Sequence, residues 1–166
     1  WEALDAIESA RNSWSKQRYD ITHVEMVDPA DISRFNSLEV TADIQPWHWY
    51  RWTEEFEWYI TKKRLNNLYL FPIKEINESG ANVTLSSDWN VGPINPLIWI
   101  GNVVKNKQFP TIHDALKAYT INAAKALGIE EITGSIEVWK SADFVILSAD
   151  ITRVDVNKVR GGGKIY

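Results

Sequence analysis

Residues Ala81-Asn82-Val83-Thr84-Leu85-Ser86-Ser87-Asp88-Trp89-Asn90 decide how this chain is read. Val83, Thr84 and Leu85 form a short, β-branched apolar run, the mark of a buried strand. Directly after it stands the carboxylate of Asp88, followed by the turn-forming Gly92 and Pro93. A carboxylate at the C-terminal tip of a buried strand is where a parallel α/β barrel places its chemistry. Upstream, a second strand-like run from Tyr19 to Met26 carries His23. A histidine and an aspartate on two strand tips suggest one site with a metal or an acid/base role. Taken singly, each has an ordinary structural explanation, an Asx-turn for Asp88 and a satisfied core imidazole for His23.

Outward from these tips, helices and strands alternate. The spacing of Trp1, Leu4, Ile7 and Trp14 predicts a helix over 1–15. Asp28-Pro29 opens a helix to about Leu38, with Asp as N-cap and Pro at the first helical position. A strand follows over 39–45. The segment 47–59 is rich in aromatics and does not alternate apolar with polar, which makes it a poor strand and suggests a loop. Residues 72–79 read as a short helix closed by Gly80. Residues 96–105 read as another. The most regular helix spans 111–127, with Thr111 and Asp114 in an acidic capping box and Gly128 as stop signal. From about Thr133 the pattern changes to short strands without intervening helices, at 136–138, 144–147 and 164–166, with Gly161-Gly162-Gly163 as a hairpin turn.

The 166 residues are 45% hydrophobic and 24% charged, the composition of a folded chain with a sizeable core. The net charge of -4 argues against nucleic acid as a partner. There is no cysteine, hence no disulfide and no thiol chemistry. No apolar run approaches the roughly 20 residues that span a bilayer. The compartment stays open between cytoplasmic and exported. A chain opening on Trp1 in mid-helix reads as a segment of something longer. A complete eight-stranded barrel takes roughly 250 residues.

Six segments occur together in one order: Ile21-Thr22-His23, Val27-Asp28-Pro29-Ala30-Asp31-Ile32, Gln45-Pro46-Trp47-His48, Ser87-Asp88-Trp89, Ala118-Tyr119-Thr120-Ile121-Asn122-Ala123-Ala124 and Gly134-Ser135-Ile136-Glu137. In this the chain resembles the C-terminal third of the amidohydrolase superfamily, in particular amidohydrolase family 3, the YtcJ-like group that includes N-substituted formamide deformylases. The resemblance implies an α/β chain that supplies the last three strand–helix units of a TIM (β/α)8 barrel over 1–132. It also implies, over 133–166, strands of a small β-sandwich built from both chain ends. The implied activity is metal-dependent hydrolysis of C–N bonds, amide or formamide-like, in a small-molecule substrate.

The same resemblance implies His23 as a metal ligand at the sixth strand tip and Asp88 at the eighth as both metal ligand and catalytic base. It places Gln45, His48 and Trp89 close to substrate. Imidazole and carboxylate suit a divalent ion such as zinc. The chain departs from the family pattern in lacking the paired His-x-His of the first strand. Thr22 stands where Glu is usual, no Arg lies near Pro72, and Trp139 replaces a turn glycine, so that turn either differs or is strained.

A second reading makes the chain an inactive fragment or interaction module, since one His and one Asp fall short of the three protein ligands a catalytic zinc takes. Trp47, Trp49, Trp52 and Trp58 then serve a partner, whereas in the first reading they wall the pocket. A partial barrel also leaves sheet edges unpaired. With strands 21–24, 40–44 and 83–85 apolar enough to need cover on both faces, the expected partner is the missing N-terminal part or a second copy. Its contact is expected to be large and apolar, above roughly 2,000 Å². His113, Asp143 and the basic run Lys62–Arg64 read as surface or turn residues.

Overall fold

Alternation along the strands sorts their side chains into an apolar face and a polar one, and this organises the molecule. The computed structural model describes residues 2–11, 17–63 and 67–159. In chain order the strands are β1 (Tyr19–Thr22), β2 (Met26–Val27), β3 (Val40–Ile44), β4 (Tyr69–Leu70) and β5 (Val83–Leu85). β1, β3 and β5 form a parallel three-stranded sheet in that order, so sequential strands are spatial neighbours. The register pairs Ile21 with Ala42, Thr22 with Asp43 and Asp43 with Thr84. β2 and β4 make a small antiparallel ribbon. Consecutive parallel strands with helical crossovers are the arrangement of a segment of a (β/α) barrel.

The helices are α1 (Glu2–Arg11), α2 (Ile32–Ser37), α3 (Pro46–Lys63), α4 (Ile73–Glu78), α5 (Pro96–Lys105), α6 (Ile112–Tyr119) and α7 (Ile121–Leu127). Their apolar sides meet one face of the sheet. Val40, Ala42, Ile44, Val83 and Leu85 bury there with Leu4, Phe35, Ile73, Ile76, Ile100, Val103 and Phe109. Burying a side chain of this size contributes about 1.5–3 kcal/mol. The opposite face carries Asp20, Thr22, Thr41, Asp43 and Thr84, because side chains two apart share a face. This corrects the expectation of strands apolar on both sides. The inner surface of the sheet is polar and satisfies itself by hydrogen bonds, Thr84 Oγ1 donating to Asp43 Oδ1 at 2.9 Å and Asn82 Nδ2 to Thr41 Oγ1 at 3.0 Å.

The caps behave as read. Asp28 accepts from the Ala30 N–H at the start of a 3-10 turn (Pro29–Asp31) that leads into α2. Thr111 accepts from the Asp114 N–H. Gly80 and Gly128 hold φ of 85° and 74° at helix ends. Trp139, at the position where the resemblance implies glycine, adopts φ 74°, the left-handed backbone that glycine would take freely.

Three expectations need correction. Segment 47–59 is not a loop but lies in the long helix α3. Pro46 supplies its first residue, where a missing N–H costs nothing, and no Gly or Pro interrupts it afterwards. The helix over 111–127 breaks at Thr120, whose φ/ψ is -124°/-98°. The break turns α7 toward β5, where Asn122 Nδ2 donates to Val83 O at 3.0 Å and Asn82 Nδ2 to Asn122 O at 3.1 Å. Residues 136–138 and 144–147 form no ladder, and Ile136, Val138, Phe144, Val145 and Ile146 are exposed. A strand needs a hydrogen-bonding neighbour, and no described residue provides one there. The last expected strand, at 164–166, the glycine turn before it, Arg64 and the side chains of Trp52, Lys62 and Lys63 lie outside the described residues.

Candidate metal centre

β1, β3 and β5 all end on the same side of the sheet, and the residues just past their tips converge. His23 follows β1, Gln45 follows β3, His48 lies in the first turn of α3, and Asp88 follows β5. The α3 start holds His48 in place, its N–H donating to Gln45 O at 3.0 Å. The His23 and His48 rings stack with centroids 4.4 Å apart and planes 13° from parallel. His48 Nε2 lies 3.1 Å from Asp88 Oδ2, and His48 Nδ1 lies 3.3 Å from Glu25 Oε1. One donor atom each from His23, His48 and Asp88 fall within 4.8 Å of one another.

The backbone at this cluster is bent sharply. His23, Val24 and Asp88 have φ of 71°, 52° and 50°. Non-glycine residues in the left-handed region cost roughly 1–3 kcal/mol each and persist where the surroundings over-determine them. Here Val24 is buried and both tips are tied into the sheet: His23 N–H donates to Asp43 O at 2.9 Å, and Ser86 N–H to Ile44 O at 3.0 Å. Past Asp88, the turn packs on α3 so closely that a Cβ at Gly92 would meet Ser87 O at 2.6 Å and Trp47 Cβ at 2.9 Å. Trp47 is itself held edge-on against Trp99, whose Nε1 donates to Pro93 O at 2.9 Å.

The donor set fits a divalent cation. Two imidazoles and a carboxylate match the number and type of protein ligands that a catalytic zinc-like ion takes. His23 Nδ1 is buried with no hydrogen-bond partner among the described residues. A buried polar atom left so costs free energy unless something outside the chain meets it. His48, expected beside the substrate, is 5% exposed and belongs to the cluster itself. Gln45 lies beneath it, 2% exposed, with its amide bonded to His23, Asp43 and Ser86. Trp89, next to Asp88 in the chain, is 68% exposed. His113 is exposed, and Asp143 accepts from Thr133 Oγ1 in a turn.

The reading of the sequence missed Glu25 and Asp43. A carboxylate two residues past the candidate histidine was a usable signal for Glu25. For Asp43 none was visible, since its role depends on which face of β3 it occupies.

The profile of the amidohydrolase family matches residues 2–163. The chain belongs to the amidohydrolase family. Among its relatives, Protein LONG AFTER FAR-RED 3 of Arabidopsis thaliana is 33% identical over 161 residues, covering 89% of this chain and 27% of that protein. N-substituted formamide deformylase of Arthrobacter pascens is 27% identical over 158 residues, covering 89% of this chain and 29% of the relative. The chain thus spans less than a third of the length of either relative. Among solved structures, a metal-dependent hydrolase of Pyrococcus horikoshii shares the fold with TM-score 0.73 at 21% identity, over 94% of this chain and 33% of that one. As an amidohydrolase segment the chain contributes strand tips with three metal-type donors. No described helix is long and apolar enough to cross a membrane.

Proposed function

We propose that this chain forms part of the active site of a metal-dependent hydrolase that cleaves a C–N bond, amide or formamide-like, in a small molecule. The observation that carries this reading is the convergence of His23, His48 and Asp88 within 4.8 Å at the C-terminal end of the parallel sheet. It answers the objection raised by the sequence alone, that a single His and Asp fall short of a ligand set. The name of the formamide deformylase relative supports the C–N bond as target.

His23, His48 and Asp88 would hold the divalent ion, zinc or a similar metal. Such an ion supplies Lewis acidity, which lowers the pKa of water and polarises a carbonyl. The remaining roles fall to the chain's own groups. Asp88, its side chain 36% exposed and aimed at the cluster, accepts the proton from the attacking water on a carboxylate oxygen and passes it to the departing nitrogen. Glu25, next to His48 Nδ1, fixes that ring so that Nε2 faces Asp88 and the cluster. Trp89, exposed beside Asp88, packs against the substrate.

The test uses the full-length protein that carries this sequence. Metal content is measured by elemental analysis, and hydrolysis is screened on N-substituted formamides and cyclic amides. Asp88→Asn keeps the shape of the side chain but is a far weaker base. A drop in kcat of about 10²–10⁴ with little change in KM is expected. Wild-type protein free of stoichiometric metal under metal-replete conditions, or an Asp88→Asn enzyme with unchanged kcat, ends this reading.

A further inference from the structure

Asp43 occupies the inner, polar face of β3, one residue before the strand ends. Its two carboxylate oxygens serve its own strand and the next. Oδ1 accepts from Thr84 Oγ1 at 2.9 Å. Oδ2 accepts from Gln45 Nε2 at 2.7 Å and from Ser86 Oγ at 3.3 Å. Gln45 Nε2 donates in addition to Ser86 Oγ at 2.6 Å, while Gln45 Oε1 accepts from the backbone N–H of His23 at 3.0 Å. One carboxylate therefore connects the tips of all three parallel strands.

The polarity of this chain of bonds is fixed. The carboxylate can only accept, so the NH₂ of Gln45 must face it, and the amide oxygen is left to meet the His23 N–H. Gln45 is 2% exposed and Thr84 4%, while Asp43 and Ser86 are half-buried, so water has little access to the Gln45 and Thr84 ends of the network. Hydrogen bonds in such surroundings are electrostatically stronger, and a half-satisfied network is correspondingly costly. The two residues governed by these bonds, His23 directly and Asp88 two positions beyond Ser86, hold left-handed backbone at φ 71° and 50°. That conformation needs enforcement from outside.

We propose that Asp43 is a positioning residue that, through Gln45 and Ser86, fixes the strand tips bearing His23 and Asp88 and so sets the spacing of the metal donors. It lies outside the three-donor cluster. The proposal rests on the metal-hydrolase reading above, but the network can be tested separately from it.

The experiment is a reciprocal swap in the full-length protein. Asp43→Asn sets an amide opposite the Gln45 amide, and Gln45→Glu sets a carboxylate opposite Asp43. In the double variant Asp43→Asn/Gln45→Glu, the amide at 43 donates to the carboxylate at 45, which still accepts from the His23 N–H. Three quantities are read: hydrogen-exchange protection of the His23 amide in metal-free protein, zinc affinity by chelator competition, and kcat and KM separately. Each single variant is expected to lower His23 protection without abolishing it, because the His23 N–H keeps its backbone bond to Asp43 O at 2.9 Å. It should also lose about 10–100-fold in zinc affinity, the usual scale for partners behind a metal ligand. kcat should fall, KM should hold, and the double variant should recover most of all three. Ser86→Ala, which changes no charge, gives the same pattern more weakly and serves if the charge variants do not fold. Unchanged His23 protection and zinc affinity in the folded single variants or in Ser86→Ala, or a double variant no better than the singles, overturns the proposal. Wild-type protein that binds no zinc overturns the hydrolase reading, and the exchange measurement then still decides the network.

Discussion

Replacing His48 by alanine separates a metal centre from a hydrogen-bonded cluster, because the two predict different consequences. In the cluster alone, His48 lies between two carboxylates, 3.1 Å from Asp88 and 3.3 Å from Glu25. Its loss leaves the acids facing each other across a small void, and both are partly exposed, so solvent can fill the gap. The cost is then one or two charge-assisted hydrogen bonds, each about 1.5–3 kcal/mol before solvent screening reduces it, and it is independent of added metal.

If His48 is a ligand, the change also removes one of three donors. Partners behind a ligand are already worth about 10–100-fold in affinity. A direct ligand should cost at least the upper figure, about 2.8 kcal/mol at 1.4 kcal/mol per tenfold. A protein at 100 times its Kd of metal gains about 2.7 kcal/mol of stability from binding, and a 100-fold weaker site at the same concentration gains only about 0.4 kcal/mol. Chelator-stripped full-length protein is unfolded in denaturant with and without zinc. The wild type should show the metal-dependent increment and His48→Ala should lose nearly all of it. His113→Ala, changed at an exposed position on α6, should retain it. An equal zinc increment in wild type and His48→Ala refutes the assignment of His48 as a ligand.

Two further outcomes follow from the packing. Arg18 hydrogen-bonds the Glu130 carboxylate through both terminal nitrogens, at 2.9 and 2.7 Å, which holds the Glu130 pKa below the usual carboxylate range. A carboxyl with a lowered folded-state pKa contributes stability above its unfolded value, near pH 4.3. The stability difference between wild type and Arg18→Gln should therefore be full at neutral pH and fade as pH falls below that value. A difference that persists undiminished at pH 2 to 3 contradicts this. The outer edges of β1 and β5 have no neighbour among the described residues, and Ile136, Val138 and Phe144 are exposed. The 166-residue chain alone is expected to self-associate or to need the remainder of its protein. A soluble monomer by light scattering, melting cooperatively at micromolar concentration, contradicts that expectation.

Much of the fold was legible in the sequence because its signals are local. Val83–Leu85 announces a strand by its own side chains, Asp28-Pro29 and Thr111 announce helix starts by capping chemistry, and Gly80 and Gly128 announce ends by the backbone they permit. His23 and Asp88 stood out by their place after such strands. Signals that depend on a neighbour were not legible. The residues at 136–138 and 144–147 have strand-like composition but no ladder, because pairing is a property of two segments. Segment 47–59 is helical because Pro46 launches it off a strand tip, and Thr120 breaks a regular helix so that Asn122 can reach Val83.

The candidate site divides in the same way. Residue types near strand tips can be read from a sequence. That His48 completes a three-donor cluster, that Gln45 lies beneath it, and that Asp43 and Glu25 hold the ring and the tips are matters of direction. Residues from 22 (His23 and Gln45) to 65 (His23 and Asp88) positions apart in the chain meet there only because parallel strands in register all end on one side of the sheet. Strand alternation then turns every second side chain inward. Sequence determined which donors were available. Only the tertiary structure determined which of them face one another, because that depends on register between strands, which no single strand encodes.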